Sequence, residues 1–469
     1  MPHMRLGRVL SSLLVVPLLA LGPVAPAGAA DPAPDPAPTT LTLRAAPAFA
    51  DQPTTLALHL TGGDGTGVAA AEVAVERRVS GTWRAFATAT TDDTGGASTD
   101  ALLSKAPGDN VFRATYAGDA VTWAASASGP VTVALRRRTS ALRLGGPTRV
   151  VDEQSVPVEV TWRAGNGDPV AGPVRVYQRL RGAWRLDRRV RTGADGVARF
   201  TVTPRTDTRW LARADGLPWV QGDSSDPHAI DNVAPGTPVA LPAGAPRPKL
   251  HPPVQGHAVG AGPNIAITQV PASVWNDMVG HTWHRGCPVG RASLRLVRMN
   301  YWDYSGYRRR GEFVANVDAA GQIAAALADM YAAELPLRSL YRVDRWGYSS
   351  RVHGGDDLSS MNAGNTSVFN CRDVVNRPGV RSPHSWGRAL DLNTWENPYR
   401  SQRGIVPNVW WQSHSHPRIA WRSRSHRVVQ IMAAHGLRWT YGLGDTQHFD
   451  APAGNGRYLR PVGCSGVCE

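Results

Sequence analysis

Lysine is almost missing from this chain. Lys105 and Lys249 are the only two, so nearly all of the positive charge is arginine. Neither lysine has a serine three residues before it. The S-x-x-K arrangement that pairs a serine nucleophile with a lysine base is therefore excluded. Cysteine is scarce as well: Cys287, Cys371, Cys464 and Cys468 are the four, and no C-x-x-C pair occurs. That argues against a zinc site built on thiolates. Long apolar runs are also missing. Nothing beyond the first thirty residues approaches the roughly 20 consecutive apolar residues that a membrane-spanning helix needs. Acidic residues are in the minority, which leaves a net charge of +14.

Residues 1–30 have the layout of a signal peptide. Arg5 and Arg8 precede the apolar run "VLSSLLVVPLLAL", and "APAGAAD" offers small-residue cleavage points after Ala29 or Ala30. A secreted chain is expected, with an uncleaved N-terminal anchor as the alternative. The even cysteine count suits an oxidising compartment. Cys464 and Cys468 are close enough to close a small loop, which leaves Cys287 to pair with Cys371. A papain-like enzyme would need one of these thiols unpaired. A basic exported protein is drawn to anionic polymers, and cell-wall polymers are more available to it than nucleic acid.

At 469 residues the chain exceeds one ordinary core. Residues 38–138 and 139–232 alternate short apolar and polar runs with Gly-rich turns, a strand pattern throughout. They also match each other. "VAVERRVSGTW" ends at Trp83 and "VRVYQRLRGAW" at Trp184; "TDDTG" ends at Gly95 and "TGADG" at Gly196. The offset is 101 residues in both cases, which points to a tandem repeat. Units of this size and texture suit two all-β immunoglobulin-like sandwiches, similar to bacterial wall or adhesion modules. The repeated Trp is expected to pack on a sheet face or edge. Residues 233–262, rich in Pro, Ala and Gly, read as an extended spacer that holds the C-terminal part away. From 263 to 469 the texture becomes α+β with a mainly antiparallel sheet. Helices are expected over Val317–Leu335 and over Ser423–Gly436.

"RSPHSWGRALDLN", Arg381–Asn393, places His384 and Asp391 seven residues apart. Positions seven apart on one flat strand face opposite ways. A turn at Gly387 would leave His384 on a loop and Asp391 on the strand "ALDLN", opposed to Leu390 and Leu392. A carboxylate between two apolar residues is costly unless paired or coordinated. "GDTQHFD", Gly444–Asp450, adds His448 and, three residues earlier, Asp445. His384, Asp391 and His448 make a three-ligand set of the kind that holds hydrolytic Zn2+ with one open position. Asp445 is the candidate general base, and Arg372 in "NTSVFNCRD" the candidate cation for a developing oxyanion. The other histidines read as surface or helix-end residues, with His353 a further candidate for the cleft. Asp450 reads as a partner for a ligand or as a strand-end acid.

"SPHSWGRALDLN" fits S-x-H-x-x-G-x-A-x-D, and "DTQHF" fits the D/E-x-x-H pattern downstream of it. With "NTSVFNCR" and "ENPY", these motifs resemble the zinc D-alanyl-D-alanine carboxypeptidase and L-alanyl-D-glutamate endopeptidase family, of the vancomycin-resistance and phage-endolysin type. The resemblance covers about Ile265 to Asp450. It implies zinc on His384, Asp391 and His448, an acid/base at Asp445 and a carbonyl-stabilising Arg372. It also implies a peptidoglycan stem peptide as substrate, with Ser382 orienting that substrate or His384. Asp445 stands where carboxypeptidase members usually carry Glu, a choice closer to the endopeptidase branch. The expectation is a monomeric, secreted, wall-associated zinc peptidase with no nucleic-acid partner and no stable membrane span.

Overall fold

The computed structural model describes residues 35–119, 121–401 and 404–459. The expected signal peptide and the Cys464–Cys468 pair lie outside the described residues. The chain falls into two compact units, one running to Thr139 and including Gly216–Gln221, the other holding Ser140–Asp215 and everything from Gly222. No helix of the described residues is long and apolar enough to cross a membrane.

In the first unit, Thr39–Ala45, Pro53–Gly62 and Gly96–Leu102 form one sheet. A second sheet is built on Thr82–Thr90, Glu72–Val79 and Val111–Tyr116. Strict alternation does the work: along Pro53–Gly62, Leu56, Leu58 and Leu60 turn inward and the residues between them face out. They meet Val73, Val75 and Phe112 of the other sheet in one apolar core. Residues 140–233 repeat this plan, with Ser140–Gly145, Val156–Ala164 and Val197–Val202 in one sheet and Pro173–Leu180 an inner strand of the other.

The repeat extends to details that hydropathy does not carry. A register shift falls at Val75/Glu76 in the first copy and at Val176/Tyr177 in the second. Thr91 donates to the Val68 carbonyl and accepts from the Ala71 N–H; Thr192 does the same with Val170 and Gly172. Each buried hydroxyl thus satisfies two backbone groups where a loop meets a strand. Trp83 and Trp184 occupy matching places on edge strands and are half-buried, with the Arg113 guanidinium lying over the Trp83 ring.

The C-terminal region is mixed. Strand β1 (Ala266–Gln269) is followed by helix α1 (Ala272–Met278) and by the antiparallel pair β2 (Leu294–Trp302) and β3 (Arg308–Asn316). Helix α2 (Ala320–Ala332) buries Ile323, Leu327 and Met330 against Val297, Met299 and Phe313 of that sheet. Then come the short helix α3 (Asp357–Asn362), strand β4 (Ala389–Asp391), helix α4 (Arg427–Ala434) and strand β5 (His448–Asp450). Helix α4 adds Val428 and Met432 to the same core, and β4 and β5 add Leu390 and Phe449. The sheet pairings here are antiparallel, as the sequence suggests. Cys287 and Cys371 are joined by a disulfide that ties the loop after α1 to the residue before Arg372.

The Pro-rich segment corrects one expectation. It has almost no regular secondary structure, yet it is not a free spacer. It runs as a strap along the C-terminal region. Val239, Leu241 and Ala245 pack on Trp395, Trp411 and Ile419. Trp395 donates its indole N–H to the Pro246 carbonyl at 2.7 Å, and Tyr341 its hydroxyl to the Pro253 carbonyl. Gln255 is buried and bonds the backbone N–H and C=O of Leu340 and the Tyr301 hydroxyl. Prolines removed backbone donors from this stretch, but its carbonyls found side-chain partners.

Candidate metal centre

Gly387 makes the turn that the sequence required. Pro383–Trp386 forms a single 3-10 turn, and Gly387 closes it at φ 68°, in the left-handed region. A side chain there would start 2.7 Å from the Asn316 backbone nitrogen. His384 therefore sits on the turn and Asp391 at the end of β4. Leu390 and Leu392 point into the core, so Asp391 faces the other way.

Strand β5 pairs antiparallel with β4 and sets His448 directly opposite Asp391. Directly opposed side chains share a face of the ladder. The two ligand fragments thus meet through backbone pairing. His384 Nε2 lies 3.1 Å from one Asp391 oxygen, and His448 Nδ1 lies 3.2 Å from the other. The ligand atoms of these three residues fall within 4.8 Å of one another, and all three residues are buried. A second such group, His284 with Cys287 and Cys371, offers no thiolate because its cysteines form the disulfide.

The outer nitrogens each face an acceptor. His384 Nδ1 is 2.6 Å from the Val368 carbonyl, which only accepts, so Nδ1 carries the hydrogen. His448 Nε2 is 3.0 Å from Asp450 Oδ1, and the tautomer with its hydrogen on Nε2 donates to that carboxylate. In neutral imidazoles the inner nitrogens are then lone pairs, each aimed at a carboxylate oxygen. Acceptors facing acceptors in a buried space repel. Two extra protons or one metal cation reconcile them. Two imidazoles and one carboxylate fit Zn2+, and hydrogen-bonded outer nitrogens are how histidine ligands are oriented.

Asp445, fully buried, stands outside that cluster, at the bend between Gly442–Gly444 and β5. Its backbone pairs with Tyr399, and the next residue, Thr446, accepts indole N–H bonds from Trp421 and Trp439. Arg372 is fully buried too. Its guanidinium meets Asp357 on α3 at 3.0 Å and the Asp373 carbonyl at 3.3 Å. Asp357 was missed by sequence reasoning; it lies in the quiet fragment "RVHGGDD", and only α3 brings it to Arg372. Ser382 is also sealed from solvent. Of the two roles expected for it, orienting substrate or orienting His384, its geometry bears on the second: it accepts from the His384 N–H and caps the turn. His353 is not part of the cluster; it pairs with Asp373 at 3.0 Å. Burial alone would raise the Asp373 carboxyl, but His353, the Gly379 N–H and Arg381 outweigh it and hold it low.

"ENPY" proves to be structural. Glu396 is fully buried, ion-paired with Arg338 and hydrogen-bonded by Tyr304. Asn397 bridges the carbonyls of Leu392, Asn393 and Ile419 and accepts from the Trp421 N–H.

Comparison with known proteins adds the following. Residues 376–451 match a family model described as D-alanyl-D-alanine carboxypeptidase. The matched span holds His384, Asp391, Asp445 and His448. No curated protein matches the chain. Among solved structures, the chain is similar to invasin, a bacterial integrin-binding protein, at 17% identity over 58% of this chain and a TM-score of 0.29. It spans about half of that chain, 48%. It is similar to the D0–D1 domain of intimin at 19% identity over 41% of this chain and 97% of that one, TM-score 0.17. A tetra-tandem repeat from the extending region of a large adhesion protein aligns at 16% identity over 60% and 75% of the two chains, TM-score 0.28.

Proposed function

We propose that the chain is a secreted, wall-associated zinc peptidase that hydrolyses peptidoglycan stem peptides, with the terminal D-alanyl-D-alanine bond as its target. The observation that carries this reading is the trio of His384, Asp391 and His448, whose inner atoms are all lone-pair donors turned on one point. These residues would hold the metal. When bound, zinc would supply a polarised carbonyl and an acidified water. Asp445 takes the proton from the attacking water and returns it to the leaving amine. Arg372, braced by Asp357, supplies positive potential that offsets charge growing on the carbonyl oxygen in a site with little water to screen it. Asp450 and the Val368 carbonyl hold the two imidazoles in the tautomers that ligation needs.

Asp445 in place of Glu favours a second reading, cleavage between L-Ala and D-Glu. One experiment separates the two. Purified peptidoglycan and soluble stem peptides are digested with the wild type and with Asp445→Ala, with and without chelator, and products are read by mass spectrometry. Metal content is measured on the same samples. Free D-Ala, lost in the variant and on chelation, establishes the carboxypeptidase. A cut after L-Ala moves the assignment to the endopeptidase. Neither product from zinc-loaded protein overturns both and leaves a wall-binding protein.

A further inference from the structure

A second concavity lies in the C-terminal region and includes none of the residues discussed above as metal ligands, base or oxyanion partner. It is a cavity of about 580 Å³ between the Pro252–Gly256 portion of the strap, strands β2 and β3, and the residues around Trp346. Three guanidinium groups line it, those of Arg298, Arg310 and Arg345, against the single carboxylate of Glu312. That carboxylate is divided. It accepts from Arg298 at 2.9 Å and lies 3.4 Å from buried Arg342 and 4.0 Å from Arg345. Among the described residues Arg310 donates to neutral acceptors, the Asn264 carbonyl at 2.5 Å and the side chains of Asn264 and Asn300 at 3.1 Å. Burial, and then the neighbouring Arg298 charge, hold the Arg310 guanidinium below its ordinary value. Positive charge is in excess here, and the natural relief is an anion.

The rest of the lining is not what a bare anion needs. Tyr341 and Trp346 meet edge to face with ring centroids 6.0 Å apart, and both are half-buried. Pro252, Pro253 and the exposed Val254 form an apolar rail beside them. A sugar ring has C–H faces that pack on such surfaces and hydroxyl edges for polar neighbours, and an acid group on it would reach the arginines. A single edge-to-face pair offers no run of parallel platforms for successive nucleobases. A peptide ammonium would find only a carboxylate that is already shared.

We propose that this cavity binds an acidic sugar unit, carboxylated or phosphorylated, of a cell-wall glycan. The wall reading above enters only in the choice of ligand. Calorimetry on the full chain provides the test, with a galacturonic acid oligomer, a phosphodiester-linked hexose oligomer, a chitin oligomer of equal length and an oligothymidylate as probes. One or both acidic glycans bind and the neutral chitin oligomer does not; which of them binds identifies the source. Arg345→Gln, at an exposed guanidinium, and Trp346→Ala each weaken that binding by about tenfold, the scale of one charge-assisted contact. The proposal is overturned if neither acidic glycan binds, if both variants bind as the wild type does, or if oligothymidylate binds equally well. Stem-peptide cleavage is read separately, so an inactive protein that binds glycan sinks the peptidase reading and keeps this one.

Discussion

The most informative single residue at the candidate metal centre is one that would not itself touch a metal. Asp450 accepts from His448 Nε2 and also from the Thr440 hydroxyl at 2.5 Å. It fixes both the rotation of the ring and the nitrogen that faces Asp391. Asp450→Ala should therefore keep all three ligands yet bind zinc about 10- to 100-fold more weakly, measured by competition with a chromogenic chelator. Unchanged affinity would show that β5 alone orients the ring. At this scale the sequence was legible where candidate ligands cluster in short fragments. His384, Asp391 and His448 occupy two of them, and the period of a strand was enough to predict that Asp391 turns away from its leucines. Asp357 was not legible, because its partner lies across a loop and no periodicity links the two. Ser382 was legible as a residue that orients either substrate or His384, and the sequence could not choose between them, since capping a turn and contacting a substrate leave the same mark.

At the scale of elements, two termini decide a good deal. Gly387 ends the His384 turn in a conformation that an L side chain resists, with no room for a Cβ. Gly387→Ala should cost at least about 2 kcal/mol in urea unfolding and should reduce zinc occupancy with it. Helix α4 begins later than the run Ser423–Gly436 suggested, because His426 serves as its N-cap. Its Nδ1 accepts from the Val428 N–H, and its Nε2 donates to the His416 carbonyl. Histidine is an uncommon cap, so no sequence signal marks it. Burial holds the imidazoles of both His426 and His416 below their usual value. A depressed histidine favours the folded state while neutral. That stability is complete above the unfolded value of about 6.5 and is lost as pH falls through the folded one. The thermal midpoint should therefore be level just above neutrality and decline in mild acid. His426→Asn, a cap that does not titrate there, should flatten part of that decline. An identical decline in the variant would assign it to other groups. Helix α2, by contrast, matches its expected position within three residues at each end, because a long apolar stripe fixes a helix better than its caps do.

For the molecule as a whole, the repeat was plain from one constant offset, and the structure extends it to a shared register shift and a shared threonine lock. The strap was misread. Composition reports that a segment cannot form helix or ladder; it does not report whether side-chain donors elsewhere in the fold are waiting for its carbonyls. A flexible spacer would be the first place a protease cuts. Here Lys249 lies in a segment fastened by Trp395 on one side and by Gln255 and Tyr341 on the other. Brief trypsin treatment of the native protein should leave the bond after Lys249 intact while exposed arginine sites elsewhere are cut. Early cleavage there would restore the spacer.

The rung that sets His448 against Asp391 also bears on which ions such a protein answers to. Backbone pairing fixes the spacing of two donors before any ion arrives, and the third rides on a turn closed by glycine. The result is a small, nitrogen-rich bite with a single carboxylate. Calcium seeks six to eight oxygens and a loose cage, and magnesium sheds its water reluctantly. Neither is offered what it prefers, so a medium crowded with hard cations would leave this centre to the scarce, softer ones.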